Sequence, residues 1–446
     1  MKKAMVFLLV LMVVCVALGE TRTWTSRSGQ EITAKYVKSI GDSIVLEKED
    51  GKQMKVKLSA LSKADIEYVR EMERKALLED NTPRVEKPKL DWAYGSTTEL
   101  IECKDAPQWS YHIYLPNSLN GGEKWPVMFV MSPGAGSKRV LDRYIEGAER
   151  VGWVLVVSKQ SRNGFDGSHD AVKAMAKDVK ERLPIDTAQM YSTGFSGGAR
   201  MAFFLATHLI EDEFAGVLAC GAGGLGANLS ESAVLYGLCG SNCFNRWDMA
   251  VTFKQFQRKP NKLVFFRGNH DWAGAFEISE GMAWLHRSHL KVVLTPKQKK
   301  AATSRPKLTL PSQRDTQPKG DAINPVLERE GKRIFGDIVR YKESRPESAL
   351  DWALYLTDFP CSSALKAEGK KLLDELRTVE KLKLYEQGLV EMQAFVEKHF
   401  ATDVMAYQNN PNPPAARDEA TALAAKYAGT SLQSVFEGMS QACVKP

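Results

Sequence analysis

Residues 191–201 read YSTGFSGGARM, and this stretch places Ser196 at the centre of a Gly-x-Ser-x-Gly pattern. A hydrophobic segment precedes the pattern and a helix-forming segment follows it, which predicts a strand, a tight turn and a helix. Glycines at Gly194 and Gly198 suit such a turn, because side chains there would collide with the neighbouring strand and helix. The N-terminus of the following helix also favours an oxyanion. The pattern therefore indicates a nucleophilic serine, and the alternative is a glycine-rich turn with only a structural role.

The length and composition predict more than one folded domain. The chain has 446 residues, and its hydrophobic content of 43% is enough to build sizeable cores. Its formal net charge is +7, which falls to +5 when the first nineteen residues, with Lys2 and Lys3, are removed. So small a positive excess, spread along the chain without interleaved aromatic residues, predicts no nucleic-acid partner.

The N-terminal segment 1–19 reads MKKAMVFLLVLMVVCVALG. Two lysines, an apolar run and a small-residue exit at Ala17 and Gly19 are typical of a secretory signal peptide. A membrane anchor is the alternative, but the apolar run is short for a span and no second run of about eighteen apolar residues follows it. We therefore expect a secreted or periplasmic protein with no membrane span after signal removal.

Six cysteines follow the predicted signal peptide, namely Cys103, Cys220, Cys239, Cys243, Cys361 and Cys443. An even number in an exported protein permits disulfides. The candidates are a pair among Cys220, Cys239 and Cys243, and a pair between Cys361 and Cys443. The cysteines form no Cys-x-x-Cys pair and have no histidine at ligand spacing, so we expect no metal and no cofactor.

Residues 20–70 show short alternating segments, ITAKYV, SIVLEKED and KQMKVKL, separated by tight-turn dipeptides. This pattern predicts antiparallel strands. The opening RTWTSRSG and the closing LSALSKADIEYV resemble the first Sla-type homology domain, an SH3-like module. The resemblance implies a small β-barrel with an accessory or binding role, and a spacer that folds by itself is the alternative. Residues 71–90 become charged and Pro-containing, which predicts a linker.

Residues 91–290 contain eight candidate strands, at 97–103, 109–116, 126–131, 153–159, the segment before Ser196, 214–220, 233–240 and 262–268. Apolar runs separated by helix-sized segments predict a parallel sheet covered on both faces. With the serine turn after the fifth strand, the series resembles the α/β-hydrolase family. The segments IDTAQMYSTGFSGGARMA and FFRGNHDWAGAFEISEGMAWL are similar to exported esterases of the polyhydroxybutyrate-depolymerase and feruloyl-esterase type.

The predicted fold class is therefore α/β. It comprises an eight-stranded α/β-hydrolase sheet, preceded by the small SH3-like barrel and followed by a helical domain. Residues 291–325 are basic, polar and Pro-bearing, which predicts a linker. Residues 326–446 carry apolar residues at helical spacing, which predicts the helical domain. This domain either binds another protein or simply packs against the hydrolase domain.

The resemblance implies where the catalytic base lies. In this fold the histidine follows the eighth strand, where this chain has His270, and it takes the proton of the Ser196 hydroxyl. A second register makes Asp271 the carboxylate and His286 or His289 the base. That register requires one of the eight strands to be discarded.

At the acid position the sequence departs from the family pattern. The expected Gly-x-x-Asp after the seventh strand reads Gly240-Ser241-Asn242-Cys243, so that Cys243 stands where the carboxylate would be. A thiol does not orient and support an imidazolium ion as an ionised aspartate does. Asp248, five residues further on, is the candidate substitute. A disulfide to Cys239 or Cys220 is another possible state of Cys243.

The resemblance also places the oxyanion hole. One donor is the backbone N–H of Gly197, after the nucleophile, and the second comes from the loop that follows the third strand. There Ala135 is the first choice and Gly134 the next. The aromatic residues Phe195, Trp247 and Trp272 are candidates for the pocket wall, although each also fits the core.

Two functions follow from these features. The first is an exported serine hydrolase that cleaves a carboxylic ester, of a small molecule or a polymer, through an acyl-enzyme on Ser196. The second is a hydrolase-like protein that has lost its acid and binds carbohydrate or protein. In either case a protein or cell-envelope partner would contact the N-terminal barrel or the C-terminal helices.

Overall fold

The computed structural model describes residues 21–40, 43–78, 86–121, 124–208, 214–295, 323–401 and 414–442. The chain forms two compact units, one from the N-terminal region up to residue 82 with residues 332–337, and one from the remainder. The predicted signal peptide lies outside the described residues, as does most of the predicted linker 291–325. Within the described ranges, no helix is both long and apolar enough to cross a membrane.

The N-terminal unit contains the predicted antiparallel strands. They are β1 (Thr21–Thr25), β2 (Glu31–Ile40), β3 (Ser43–Glu47) and β4 (Gln53–Lys57), which pair in sequence order. Trp24, Ile44 and Leu46 are fully buried in its core, which explains the apolar alternation of these segments. Helix α1 (Lys63–Leu78) follows and extends into the segment for which the sequence predicted a linker.

The second unit is built on an eight-stranded sheet, which confirms the predicted fold class. Its strands are β5 (Ile101–Cys103), β6 (Ala106–Tyr114), β7 (Trp125–Met131), β8 (Val154–Ser158), β9 (Ile185–Phe195), β10 (Gly216–Cys220), β11 (Val234–Gly240) and β12 (Asn261–Phe266). Their spatial order is β12-β11-β10-β9-β7-β8-β6-β5. Strand β6 runs antiparallel to both of its neighbours, and the other pairs are parallel. Strands β8, β10 and β11 are buried along their whole length, because helices cover both faces of the sheet.

Six helices accompany the sheet, namely α2 (Lys138–Asp142), α3 (Ile145–Val151), α4 (Ser168–Arg182), α5 (Gly197–His208), α6 (Arg246–Gln255) and α7 (Ala275–Leu294). Parallel strands leave their carboxyl ends at one edge of a sheet, where ligand sites form in open α/β folds. Helices α5, α6 and α7 each begin just after such an edge. The loops before these three helices carry Ser196, Cys243 and His270.

The C-terminal region is helical, as predicted. Its helices are α8 (Pro325–Tyr341), α9 (Pro346–Asp358), α10 (Ser363–Leu376), α11 (Glu380–His399), α12 (Pro414–Lys426) and α13 (Ser431–Ala442). The Asn324 side chain caps α8 by accepting from the backbone N–H of Val326, 2.9 Å away, and Pro325 occupies the first turn.

Several of these helices contact the sheet and its helices directly. The Trp352 indole N–H donates to Glu280 at 2.7 Å, and Lys262 on β12 lies 3.3 Å from Asp351. The Lys254 ammonium donates to the carbonyl of Ala401 at 2.9 Å. The structure therefore shows one of the two roles predicted for the C-terminal helices, which is packing against the domain that carries the eight-stranded sheet.

Candidate active site

The turn between β9 and α5 has the geometry of a nucleophile elbow. Strand β9 ends at Phe195 and helix α5 begins at Gly197, so that Ser196 alone makes the turn. Its φ is +54°, in the left-handed region that non-glycine residues rarely occupy. The backbone N–H of Ser196 donates to the carbonyl of Cys220 at 2.8 Å. Surrounding contacts hold this strained conformation, which is typical of a functional site.

The two flanking glycines are required by close backbone approach. A Cβ atom on Gly194 would lie 2.4 Å from the carbonyl of Gly198 and 2.6 Å from that of Met131. A Cβ atom on Gly198 would lie 2.4 Å from the same Met131 oxygen. Strand β7, the elbow and α5 therefore pack too tightly for side chains at these positions.

Replacing Gly194 by alanine is therefore expected to destabilise the protein by about 1–3 kcal/mol, the usual cost of an overpacked site. The contacted atoms belong to the backbone and cannot rotate away. Thermal denaturation of the variant measures the loss. The control is Gly134→Ala, since a Cβ atom there meets nothing within 4 Å. An unchanged melting temperature for Gly194→Ala would show that the elbow is looser than described.

The structure brings Ser196 and His270 together. The Nε2 atom of His270 lies 2.8 Å from the Ser196 Oγ, a hydrogen-bond distance. His270 lies in the loop between β12 and α7, four residues after Phe266. The rings of Phe195 and Phe244 lie against its imidazole, with ring centroids 4.8 Å and 4.0 Å away. These two rings restrict the orientation of the imidazole plane. Phe244 is itself 61% exposed.

The second nitrogen of His270 contacts Cys243. The Cys243 Sγ lies 3.1 Å from Nδ1, and the backbone N–H of Asn245 donates to the same sulfur at 3.4 Å. The pKa of the Cys243 thiol is lowered to about 6, first by a hydrogen bond from the Cys239 thiol and then by those from His270 and Asn245, against the opposing effect of burial. Sequence reasoning identified Cys243, named Cys239 only as a disulfide partner, and missed Asn245.

The candidate substitute acid, Asp248, is held elsewhere. Its Oδ2 accepts from Arg200 and from the backbone N–H of Gly223, both at 3.0 Å. The structure therefore does not place it as the hydrogen-bond partner of His270 Nδ1, a position that Cys243 occupies.

The second register is not assembled either. His286 faces Glu330 at 3.6 Å, and His289 lies 3.1 Å from the carbonyl of Ala188. Both histidines lie on α7 and are buried, and burial lowers the pKa of His289 to about 4. Asp271 is exposed. The eight strands are all present, so the strand that this register had to discard exists.

The two predicted oxyanion-hole donors lie at defined backbone positions. Gly197 is the first residue of α5, and the first N–H groups of a helix have no partner within it. Ala135 has a φ of +78°, the only positive value besides that of Ser196 among non-glycine residues of the described chain. Its loop is fixed by a hydrogen bond of 2.9 Å from the Asn163 N–H to the Pro133 carbonyl. The predicted donors Gly197 and Ala135 thus both lie in preorganised backbone.

The predicted pocket aromatics have different surroundings. Phe195 contacts Trp272, with ring centroids 5.1 Å apart, and Trp272 also lies under the guanidinium of Arg143 at 5.5 Å. Trp247 lies on α6, partly buried. The most exposed ring at the site is Phe244, which was not predicted. Phe244 could have been predicted as a pocket residue because it directly follows Cys243 in the sequence.

The described cysteines that the sequence offered for disulfides are free thiols. Cys220, Cys239, Cys243 and Cys361 are free and buried, and Cys443 lies outside the described residues. In the part of the chain that the structure covers, no three His, Cys, Asp or Glu side chains are arranged to hold a metal ion.

The N-terminal strands and helix belong to a recognised module. Residues 17–77 match the family SLA1 homology domain 1 (SHD1). This match confirms the resemblance drawn from the opening and closing motifs. None of the curated proteins matches the chain.

The chain is similar in part to several solved esterase and hydrolase structures. One is the fluorophosphonate-binding serine hydrolase F of Staphylococcus aureus, with 14% identity and a TM-score of 0.36 over 43% of this chain and 99% of that one. A ferulic acid esterase has 16% identity and a TM-score of 0.35 over 44% and 98%. A hyperthermophilic esterase from Pyrobaculum calidifontis has 15% identity and a TM-score of 0.33 over 51% and 90%. Similarities this low assign no activity. The assignment to the α/β-hydrolase fold follows from the strand order of the sheet.

Proposed function

We propose that this protein is a carboxylic ester hydrolase that works through an acyl-enzyme on Ser196. The observation that carries the proposal is the 2.8 Å contact between Ser196 Oγ and His270 Nε2 at a strained strand-to-helix turn. A serine hydroxyl is a weak nucleophile unless an adjacent base takes its proton. An imidazole in that position is such a base.

Each chemical step has a residue to perform it. Ser196 Oγ attacks the ester carbonyl carbon while His270 Nε2 takes its proton. The N–H groups of Gly197 and Ala135 stabilise the resulting oxyanion, and one such donor is worth about 100-fold to 1,000-fold in kcat. The intermediate expels the alcohol, which receives the proton from His270. Water activated by the same imidazole then releases the acid from Ser196.

The alternative function, a binding protein without activity, depended on the loss of the carboxylate at Cys243. The contacts of Cys243 favour the hydrolase instead, because its sulfur occupies the place of the acid against His270 Nδ1. Export remains a proposal from the composition of residues 1–19. A role of the SHD1 module or the C-terminal helices in binding a protein or cell-envelope partner also remains a proposal.

A fluorophosphonate probe tests the proposal directly. We expect the folded protein to be labelled at Ser196 and the Ser196→Ala variant to remain unlabelled, because the probe reacts only with an activated serine hydroxyl. Ser192→Ala is a matched control, since that buried serine on β9 donates to the Ala202 carbonyl. Folded protein that fails to react with the probe and to hydrolyse p-nitrophenyl acetate would refute the proposal.

A further inference from the structure

Cys243 lies where two loops of the active site meet. It follows β11, and the backbone N–H of Asn242 beside it donates to the Gly268 carbonyl at 2.8 Å, in the loop that carries His270. The side chains of Asn242 and Asn269 also join these loops at 2.9 Å. Cys243 is fully buried. Its position relative to His270 is therefore fixed by the fold and not by a mobile side chain.

Polar groups surround the Cys243 sulfur. The Asn245 N–H approaches it at 3.4 Å and His270 Nδ1 lies 3.1 Å away. The Cys239 thiol has one proton, which it can donate either to this sulfur or to the Gly240 carbonyl at 3.5 Å. One acceptor, the Gly221 carbonyl, lies 3.9 Å from the sulfur, and the Asn245 side chain also donates to that oxygen, at 2.8 Å. The Asn245 N–H, together with His270 Nδ1 when that nitrogen carries the ring proton, suits a sulfur anion.

The protonation state of this sulfur bears on the tautomer of His270. A neutral thiol can donate to the Gly221 carbonyl, 3.9 Å away, and is then only a weak acceptor for Nδ1–H. If it donates to Nδ1 instead, the imidazole proton resides on Nε2. In that tautomer Nε2 donates to Ser196 and cannot take its proton. A thiolate instead accepts from Nδ1–H and leaves the Nε2 lone pair facing Ser196 Oγ. The thiolate is therefore the form of Cys243 that best holds His270 as a base for Ser196.

We propose that Cys243 is the third member of the catalytic triad, a positioning residue whose thiolate holds the Nδ1–H of His270 and stabilises the imidazolium formed during the reaction. This inference rests on the proposed hydrolase function. On this inference the acid position of the triad is not lost, because a thiolate occupies it in place of the usual aspartate. No carboxylate has to move, and Asp248 keeps its partners Arg200 and Gly223.

The other titratable and charged groups near Cys243 agree with a single anion on this sulfur. Burial is the first cause that raises the pKa of Cys220 on β10, to about 12, and that of Cys239 on β11 well above its usual value. Arg246 on α6 donates to the Cys243 carbonyl at 3.0 Å. Of these thiols Cys243 is therefore the one that ionises most readily, and we expect activity to fall when acid protonates its sulfur.

Two substitutions at Cys243 test the inference. Cys243→Ser keeps the shape but cannot ionise, and we expect kcat/KM for p-nitrophenyl acetate to fall by about 100-fold to 10,000-fold, mostly in kcat, as when a triad anion is replaced by a neutral group. Cys243→Asp supplies an anion, and we expect it to retain most of the native activity. Cys103→Ser, another buried cysteine on β5, is the control and should leave kcat/KM unchanged.

Thiolate absorption in the ultraviolet gives a readout that does not depend on activity. The native spectrum minus that of Cys243→Ser is expected to titrate with a midpoint near the Cys243 pKa of about 6. Two results would overturn the inference about Cys243: native activity in Cys243→Ser, or an absorption midpoint at the ordinary cysteine pKa of about 8.5. If the probe still labels Ser196 in that case, the hydrolase function itself is upheld. A low midpoint in a native protein that neither reacts with the probe nor hydrolyses esters would refute the hydrolase function, and the triad with it.

Discussion

Replacing His270 by alanine is expected to lower kcat/KM for a simple ester by about 10⁴-fold to 10⁶-fold, the range found when a triad serine or histidine is removed. The His270 imidazole contacts both other members of the proposed triad, with Nε2 2.8 Å from Ser196 Oγ and Nδ1 3.1 Å from Cys243 Sγ. The loss should fall mainly on kcat, because proton transfer occurs in the transition state and not in substrate binding. Steady-state kinetics with p-nitrophenyl acetate measure it.

The matched control is His208→Ala. His208 is an exposed histidine at the end of α5, and its ring contacts only the backbone carbonyl of Phe204 and the Phe204 ring among the contacts described. Its removal should leave kcat/KM unchanged. A similar loss in both variants would indicate general damage to the fold, and native activity in His270→Ala would remove the imidazole from the mechanism.

A double variant separates the roles of His270 and Cys243. If Cys243 acts only through the imidazole, adding Cys243→Ser to His270→Ala should cost almost nothing more, because residues of one catalytic unit are strongly non-additive. If the second substitution again costs its full factor, Cys243 contributes by a route that does not pass through His270. This result bears on the triad without requiring a structure of either variant.

The sheet could be predicted because its signals are local. Each inner strand is a short apolar run, as in VLVVS of β8 and GVLAC of β10, and parallel strands buried on both faces require such runs. The glycines beside Ser196 are equally local, since the elbow leaves no room for a Cβ atom on Gly194. A local steric constraint of this kind determines the residue type at its own position, so it can be recognised from the sequence.

The environment of Cys243 could not be predicted, because it depends on loops that are distant in sequence. The sequence shows a cysteine at the acid position but not that His270 Nδ1 and the Asn245 N–H both approach its sulfur. Asp248 was the natural candidate on residue type alone. Only the fold shows that Arg200 and Gly223 already hold its carboxylate.

Packing of the C-terminal helices against the hydrolase domain was one of the two roles that the sequence offered, but the sequence did not show which residues make the contact. An amphipathic helix reveals that one face is covered but not what covers it. Here α7, the helix that follows the His270 loop, carries buried polar residues that α8 and α9 meet. Arg287 on α7 is 2% exposed; its guanidinium lies 4.4 Å from the Trp352 ring centroid and 3.6 Å from Glu330.

Replacing Glu330 by alanine is therefore expected to destabilise the protein by about 3–5 kcal/mol, the cost of removing one partner of a buried ion pair. The Glu330 carboxylate is 4% exposed and lies 3.6 Å from both Arg287 and His286. Without it, the buried Arg287 loses the carboxylate that it faces. Urea denaturation followed by circular dichroism measures the fall in the apparent free energy of unfolding.

The control for this substitution is Asp374→Ala, which breaks the exposed i,i+4 pair with Lys370 on α10. A surface pair of this kind is worth only about 0.3–0.5 kcal/mol, so equal losses in the two variants would show that the Glu330 pair is not buried in solution. Glu330 lies outside the contacts of Ser196, Cys243 and His270. Well below its melting temperature, Glu330→Ala should therefore keep native kcat/KM. A lower kcat in the folded variant would instead mean that α8 acts on the His270 loop through α7.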